Sequence, residues 1–186
     1  MSGRRVVLLD KDGTLVVDVP YNVDPARIRL APGAAEGARL LHRAGFDLVV
    51  VSNQSGVARG LFPESALAGV EARLRELLEE AGAALDGFLY CPHHPAGAVP
   101  EYTRACDCRK PAPGLLLRAL EERGADPAAS WMVGDVLNDV EAGRRAGCRT
   151  VLVDSGGETE WRLTRERMPH HAVRDLAEAA RVVLAL

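Results

Sequence analysis

Aromatic residues make up only 4% of this 186-residue chain, lysine is nearly absent, and the net charge is just -3. Each scarcity excludes something. With few rings, and with arginines interleaved among Asp and Glu, no basic, ring-rich face is left of the kind that binds nucleic acid. No apolar run is long enough to span a membrane, and the N-terminal one, 6–9 after Arg4 and Arg5, is cut by Asp10 before a signal-peptide core is complete. A cytoplasmic protein with no nucleic-acid or membrane partner is expected. With 47% hydrophobic and 26% charged residues, the composition fits one globular domain over 1–186. No apolar stripe is left over once core helices are assigned, so a monomer is expected.

Two further scarcities point inward. Lys11 and Lys110 are the only lysines among 23 basic residues, and both fall inside candidate motifs. A compact ammonium and a planar guanidinium are not interchangeable at a tight phosphate site, which marks Lys110 as a working residue. Of the 4 cysteines, Cys91, Cys106 and Cys108 cluster while Cys148 stands alone. In a reducing compartment such clustering points to a metal rather than to disulfides.

What is present is an alternation. Four stretches with helical spacing end at Ala44-Gly45, Ala81-Gly82, Arg123-Gly124 and Ala146-Gly147, each glycine suited to the residue just past a helix C-terminus. Short apolar runs follow at 48–51, 88–90, 131–133 and 150–153, after a first one at 6–9, and a last helix is expected at 174–184. The pattern predicts an α/β fold, a Rossmann-like doubly wound parallel sheet with helices on both faces. Two stretches break the rhythm, 15–31 and 91–113, and both would lie on the edge that holds Asp10. A third, 155–171, reads equally as a surface loop or a lid.

The strand ends carry the chemistry. Asp10-Lys11-Asp12-Gly13-Thr14 sets two carboxylates at the end of a buried strand, on one face, close enough to share a metal and divide nucleophile and acid/base roles. Alone, the motif is equally an Asx turn. The second strand delivers Ser52-Asn53-Gln54-Ser55-Gly56, small donors able to cradle a phosphate or to form an ordinary turn. The fourth ends in Gly134-Asp135-Val136-Leu137-Asn138-Asp139, where Asp135 also suits a helix N-cap. Three strands ending in acidic or hydroxyl residues on one edge favour a site over coincidence. Asp10, Asp12 and Asp135 offer hard oxygens suited to Mg²⁺. Lys110, beside Arg109 and before a helix, can neutralise phosphoryl oxygens as charge spreads over them.

Cys91-Pro92-His93 and Cys106-Asp107-Cys108 together supply a Cys₃His set of the structural Zn²⁺ kind, with His94 the rival imidazole and plain buried thiols the alternative. Zinc there would act on architecture, holding Arg109 and Lys110, which follow directly, over the phosphate site.

Taken in order, Asp10-Lys11-Asp12-Gly13-Thr14, Ser52, Lys110 and Gly134-Asp135 through Asp139 resemble the motifs of the haloacid-dehalogenase-like phosphohydrolases over most of the chain. The resemblance implies that Asp10 is a nucleophile forming an aspartyl-phosphate, and that Asp12 protonates the leaving oxygen and then activates water. It also implies that Ser52 and Lys110 hold the phosphoryl group. Mg²⁺ would lie on the Asp10 carboxylate, the Asp12 backbone carbonyl and Asp135, with Asp139 behind them orienting Lys110.

The cysteine loop resembles the zinc-bearing branch of that family, which contains the histidinol-phosphate phosphatases and the D-glycero-D-manno-heptose 1,7-bisphosphate phosphatases. The long gap between His93 and Cys106, and the run from Asn53 to Gly60, are similar to the heptose type. That likeness implies a small phosphorylated sugar as substrate and loss of its 7-phosphate. It also implies substrate contacts at Asp18, Val19, Pro20, Tyr21, Asn53, Gln54, Ser55 and Arg109, and a site with no large cap. Ser52 replaces the usual threonine and keeps the hydroxyl, whereas Val136 stands where some heptose enzymes carry a substrate-touching lysine. The alternatives are a histidinol-phosphate phosphatase and a zinc-stabilised binding module with a dead site. The last needs a lesion among Asp10, Asp12, Lys110 or Asp135, and all four are intact.

Overall fold

All four residues of the first strand, β1 (Val6–Leu9), are fully buried in the computed structural model, which describes residues 4–186. A strand apolar on both faces needs cover on both. Val7 and Leu9 face a core built with the helices α1 (Ala34–Arg43), α2 (Leu67–Glu80) and α5 (Leu176–Ala185). Val6 and Leu8 face the other way, toward α3 (Gly114–Arg123) and Ala142 of α4 (Leu137–Arg145). The period-2 alternation of the strand thus divides its side chains between two helical layers.

The other strands are β2 (Asp47–Asn53), β3 (Gly87–Cys91), β4 (Trp131–Gly134), β5 (Arg149–Val153) and β6 (His171–Val173). All pair in parallel, in the order β3-β2-β1-β4-β5-β6, with Leu8 beside Val49 on one side and Met132 on the other. Every expected strand lies within an observed one, and Gly45, Gly82, Gly124 and Gly147 all adopt the left-handed conformation expected after a helix. β6 escaped the sequence reading because three residues, two of them His171 and Ala172, make no apolar run. The last helix begins at Leu176, where the Asp175 side chain accepts from Glu178 N at 2.9 Å and caps it.

Strand order reverses between β1 and β4, and an open parallel sheet forms its crevice at such a point, beyond the carboxyl ends of the strands. Asp10 follows β1, Ser52 lies near the end of β2 and Asp135 follows β4, so the sheet alone delivers these side chains to one place. The segment after β1 is pinned to itself, with Val17 N donating to Arg29 O and Ala31 N to Leu15 O, both at 3.0 Å. Its tip, with Asp18 and Tyr21, is thereby held beside the crevice. Among the described residues no large cap is inserted between the elements of the sheet and its helices. Among the described residues no helix is long and apolar enough to cross a membrane.

Candidate active site

Lys110 stands at the centre of the crevice and is almost fully buried. Its Nζ donates to Asp10 Oδ1 at 2.7 Å and to Val51 O at 2.8 Å, and lies 2.7 Å from Asp139 Oδ1. Burial alone would favour the neutral amine, but the two carboxylates outweigh it and raise the ammonium above the ordinary lysine range. The backbone of Lys110 is fixed as firmly as its side chain. Asn53 Oδ1 accepts from Lys110 N at 3.0 Å while Asn53 Nδ2 donates to Lys110 O at 3.1 Å. Asn53, expected to contact substrate, spends its amide here on the lysine.

Asp10, Asp135 and Asp139 each bring a carboxylate oxygen into one group, all within 4.8 Å of one another. Burial, then the charges of Asp10 and Asp139, push Asp135 up to about 8. Asp139 is pushed up to about 6 by burial and Asp10, against the pull of Lys110. One ammonium among three buried carboxylates leaves a charge deficit, and hard oxygen donors with such a deficit fit a divalent cation of the Mg²⁺ kind. The backbone crowds in to make this possible: a Cβ added at Gly13 or Gly157 would overlap Asp135 Oδ2, and one at Gly134 would overlap Asp139 Oδ2.

The Asp12 side chain stands outside that group. Its Oδ1 pairs with Lys11 Nζ at 2.6 Å. Burial raises the Asp12 carboxyl although Lys11 opposes it, so it gives and takes a proton nearer to neutral pH than a free carboxyl does. Ser52, also buried, accepts from Gln54 Nε2 at 2.8 Å, which leaves its own proton free to donate.

The crevice has two connected parts. One, of about 210 Å³, is lined by Asp10, Ser52, Lys110, Asp135 and Asp139. The other, of about 250 Å³, runs along Lys11, Pro20, Tyr21, Gln54 and Ser55. Asp12, Asp18 and Asn53 line both and join them. Of the expected substrate contacts, Asp18, Pro20, Tyr21, Asn53, Gln54 and Ser55 therefore meet in one cleft, while Val19 and Arg109 are not among its lining residues. Tyr21 is half exposed in a left-handed conformation (φ 55°), rare for a residue with a side chain and frequent at binding sites. Arg109 Nη1 is buried with no hydrogen-bond partner.

The cysteine loop converges too. Cys91 Sγ lies 3.5 Å from Cys106 Sγ and 2.9 Å from Cys108 Sγ, and His93 Nδ1 lies 3.3 Å from Cys108 Sγ. All the thiols are free. Burial and the neighbouring sulfurs push the Cys91 thiol up, since crowded thiolates cannot all ionise without a cation. Burial and Arg104 lower the His93 imidazole and keep it neutral, as a ligand must be. The set fits a closed tetrahedral Zn²⁺ site, and Cys91 O accepts from Gln54 N at 2.8 Å, tying it to the loop after β2 that lines the crevice. Tyr90 and Tyr102 both donate to Glu64, at 3.0 and 2.7 Å, and brace the loop from outside.

The sequence reading missed the segment after β5. Ser155 Oγ donates to Gly13 O at 3.1 Å, and Glu158 Oε2 accepts from Leu137 N at 2.6 Å, so 155–158 lies on the site. Ser155-Gly156-Gly157 at the end of a fifth strand on the same edge was the available signal.

Comparison with known proteins agrees with this geometry. The HAD-hydrolase-like family model matches residues 107–179. The D-glycero-beta-D-manno-heptose-1,7-bisphosphate 7-phosphatase of Yersinia pestis is 43% identical over 151 residues, which is 81% of this chain and 80% of that relative. The protein of the same name from Escherichia coli (strain K12) is 44% identical over 151 residues, covering 81% of this chain and 79% of that relative. Among solved structures, the D,D-heptose 1,7-bisphosphate phosphatase from B. bronchiseptica, complexed with magnesium and phosphate, matches with a TM-score of 0.81 and 29% identity over 97% of this chain and 98% of that one.

Proposed function

This chain belongs to the haloacid-dehalogenase-like family and is a phosphatase, and from that premise we propose that it removes the 7-phosphate of D-glycero-D-manno-heptose 1,7-bisphosphate through an aspartyl-phosphate on Asp10. The observation that carries the reading is Lys110, buried between Asp10 and Asp139 while Asp135 completes a group of three carboxylates. Asp10, Asp135 and the Asp12 backbone carbonyl would hold Mg²⁺, with Asp139 close by. When bound, the ion neutralises carboxylate charge and draws electrons from the phosphoryl oxygens.

Lys110 holds Asp10 by Oδ1 and leaves its other oxygen to attack phosphorus, forming the acyl-phosphate bond as the ester P–O bond breaks. Asp12, its carboxyl raised by burial, delivers the proton that the departing alkoxide needs. It then takes a proton from water, whose oxygen attacks the acyl-phosphate and returns Asp10 to a carboxylate. Throughout, the Ser52 hydroxyl, its proton not spent on Gln54, and the Lys110 ammonium balance the phosphoryl oxygens. The second part of the cleft gives room for the sugar. Arg109, which the family likeness gives to substrate, would have to turn toward the cleft to meet the 1-phosphate, since it does not line it here.

The names of the relatives favour a heptose bisphosphate over histidinol phosphate, and the beta anomer over the alpha. The magnesium and phosphate bound by the B. bronchiseptica enzyme support the cation assignment. On this reading 1–186 works as one catalytic domain and a monomer, with zinc purely structural. The test is phosphate release with Mg²⁺ from both anomers of the bisphosphate, histidinol phosphate and an aryl phosphate, compared as kcat/KM. A clear lead for one bisphosphate anomer is expected; a lead for histidinol phosphate overturns the substrate assignment, and no turnover at all overturns the catalytic one.

A further inference from the structure

The glycine that grips Asp135 from the far side comes from neither β1 nor β4. Gly157 lies after β5, and its backbone packs so closely on Asp135 Oδ2 that no Cβ fits between them. Its φ is not in the left-handed range, so glycine is not demanded there by backbone conformation. The demand comes from the carboxylate. The segment is held at both ends, by Ser155 on the Gly13 carbonyl and by Glu158 on the first free N–H of α4, the helix that carries Asp139.

A second cavity, of about 280 Å³, opens on the other side of Asp135 and is lined by Gly13, Val17, Asp135 and Gly157. Asp135 and Gly157, with Asp18, line both this cavity and the cation end of the crevice and stand between them. Three carboxyl groups are crowded into one buried group, and the cavity behind Asp135 gives its side chain room to turn away. The backbones of Gly13 and Gly157 both stand against that swing, and the segment 155–158 supplies the second of them.

We infer that the segment 155–158 is a positioning element of this phosphatase: Gly157 keeps the Asp135 carboxylate turned toward Asp10 and Asp139, and Glu158 keeps Gly157 in place by anchoring the segment to α4. The inference rests on the cation reading given under Proposed function. Gly157 has no side chain to offer a ligand and Glu158 does not line the crevice, so each acts through Asp135.

The test is Mg²⁺ binding by calorimetry on the full chain, together with the Mg²⁺ concentration for half-maximal turnover. Gly157→Ala and Glu158→Ala should each weaken Mg²⁺ by about 10-fold, the lower end of what outer-shell partners of metal ligands contribute. Turnover at saturating Mg²⁺ should largely recover, and the melting temperature of the metal-free protein should hold. Glu158→Gln keeps an acceptor for the Leu137 N–H and should retain most of the affinity. Unchanged affinity in Gly157→Ala and Glu158→Ala overturns the inference, as does a loss matched by metal-free unfolding. If Gly157→Ala does not fold, the Glu158 pair decides alone. Asp135→Asn separates the two levels: if it binds Mg²⁺ as well as the unaltered chain, the cation reading itself is wrong.

Discussion

The acidic group at the β1/β4 crevice and the sulfur group at the end of β3 are both built to hold a cation, but they are assembled in opposite ways. Asp10 and Asp135 arrive on neighbouring strands of a parallel sheet and Asp139 on the helix after β4, so the fold brings like charges together and holds them there. Cys91 and His93 must find Cys106 and Cys108 across a loop with only a short 3₁₀ turn at Pro100–Tyr102. The first group is strained by its own charge and opens onto a cleft, which suits chemistry. The second is a complete set of four ligands with no place for substrate, which suits architecture. On the proposed reading, position in the fold, more than ligand type, would separate a reacting metal from a structural one.

That contrast is broken most decisively at Asp10. Asp10→Asn should abolish turnover while the fold, read by circular dichroism and melting temperature, stays intact; a variant with most of its activity would remove Asp10 from the nucleophile role. Asp12→Asn should come next, with kcat down by about 10²–10⁴-fold, the usual contribution of a general acid and base. Equal kcat in stopped-time assays across the two proteins would assign the proton to another group.

On the structural side, Cys106→Ser should cost zinc and stability together. At this chain length each kcal/mol lost lowers the melting temperature by roughly 2–4 °C, and activity should fall as the loop carrying Lys110 loosens. Unchanged zinc content and melting temperature would show that the four ligands hold no ion. Asn53→Ala tests the join between the two regions: with two hydrogen bonds to the Lys110 backbone lost, kcat should drop by about 10-fold with little change in KM. A rise in KM alone would return Asn53 to substrate binding.

The smallest effect is on stability against pH. In the metal-free chain Asp135 and Asp139 hold protons that the unfolded chain releases, because burial and the charge of Asp10 raise them from 3.8 to about 8 and about 6. The folded state therefore binds more protons above the unfolded value, and its stability should decline as pH rises from about 4 to about 8. Saturating Mg²⁺ should flatten that slope. A metal-free stability that rises over the same interval would contradict the assigned charge crowding.

Much of this was legible in the sequence because it depends on local rules. Buried parallel strands read as short apolar runs, and glycine after each helix marked the turns. The three strand ends with Asp10, Ser52 and Asp135 declared the site's edge. Pairing across the fold was not legible. Nothing in the spacing of Asn53 and Lys110 shows that one clamps the other's backbone, or that Lys11 is spent on Asp12. The 155–171 segment stayed open as loop or lid, since Gly157 matters through what its missing side chain allows. The same segment exposes Trp161, Leu163 and Met168, which no periodicity had singled out.

The central claim is a covalent intermediate on Asp10, and it is tested most directly by quenching the enzyme in acid during a single turnover with Mg²⁺ and the bisphosphate. Mass spectrometry of the peptide holding Asp10 should then show one added phosphoryl group, lost on treatment with hydroxylamine and absent from Asp10→Asn. An unmodified peptide during demonstrable turnover, or a phosphoryl group on another residue, would contradict the account.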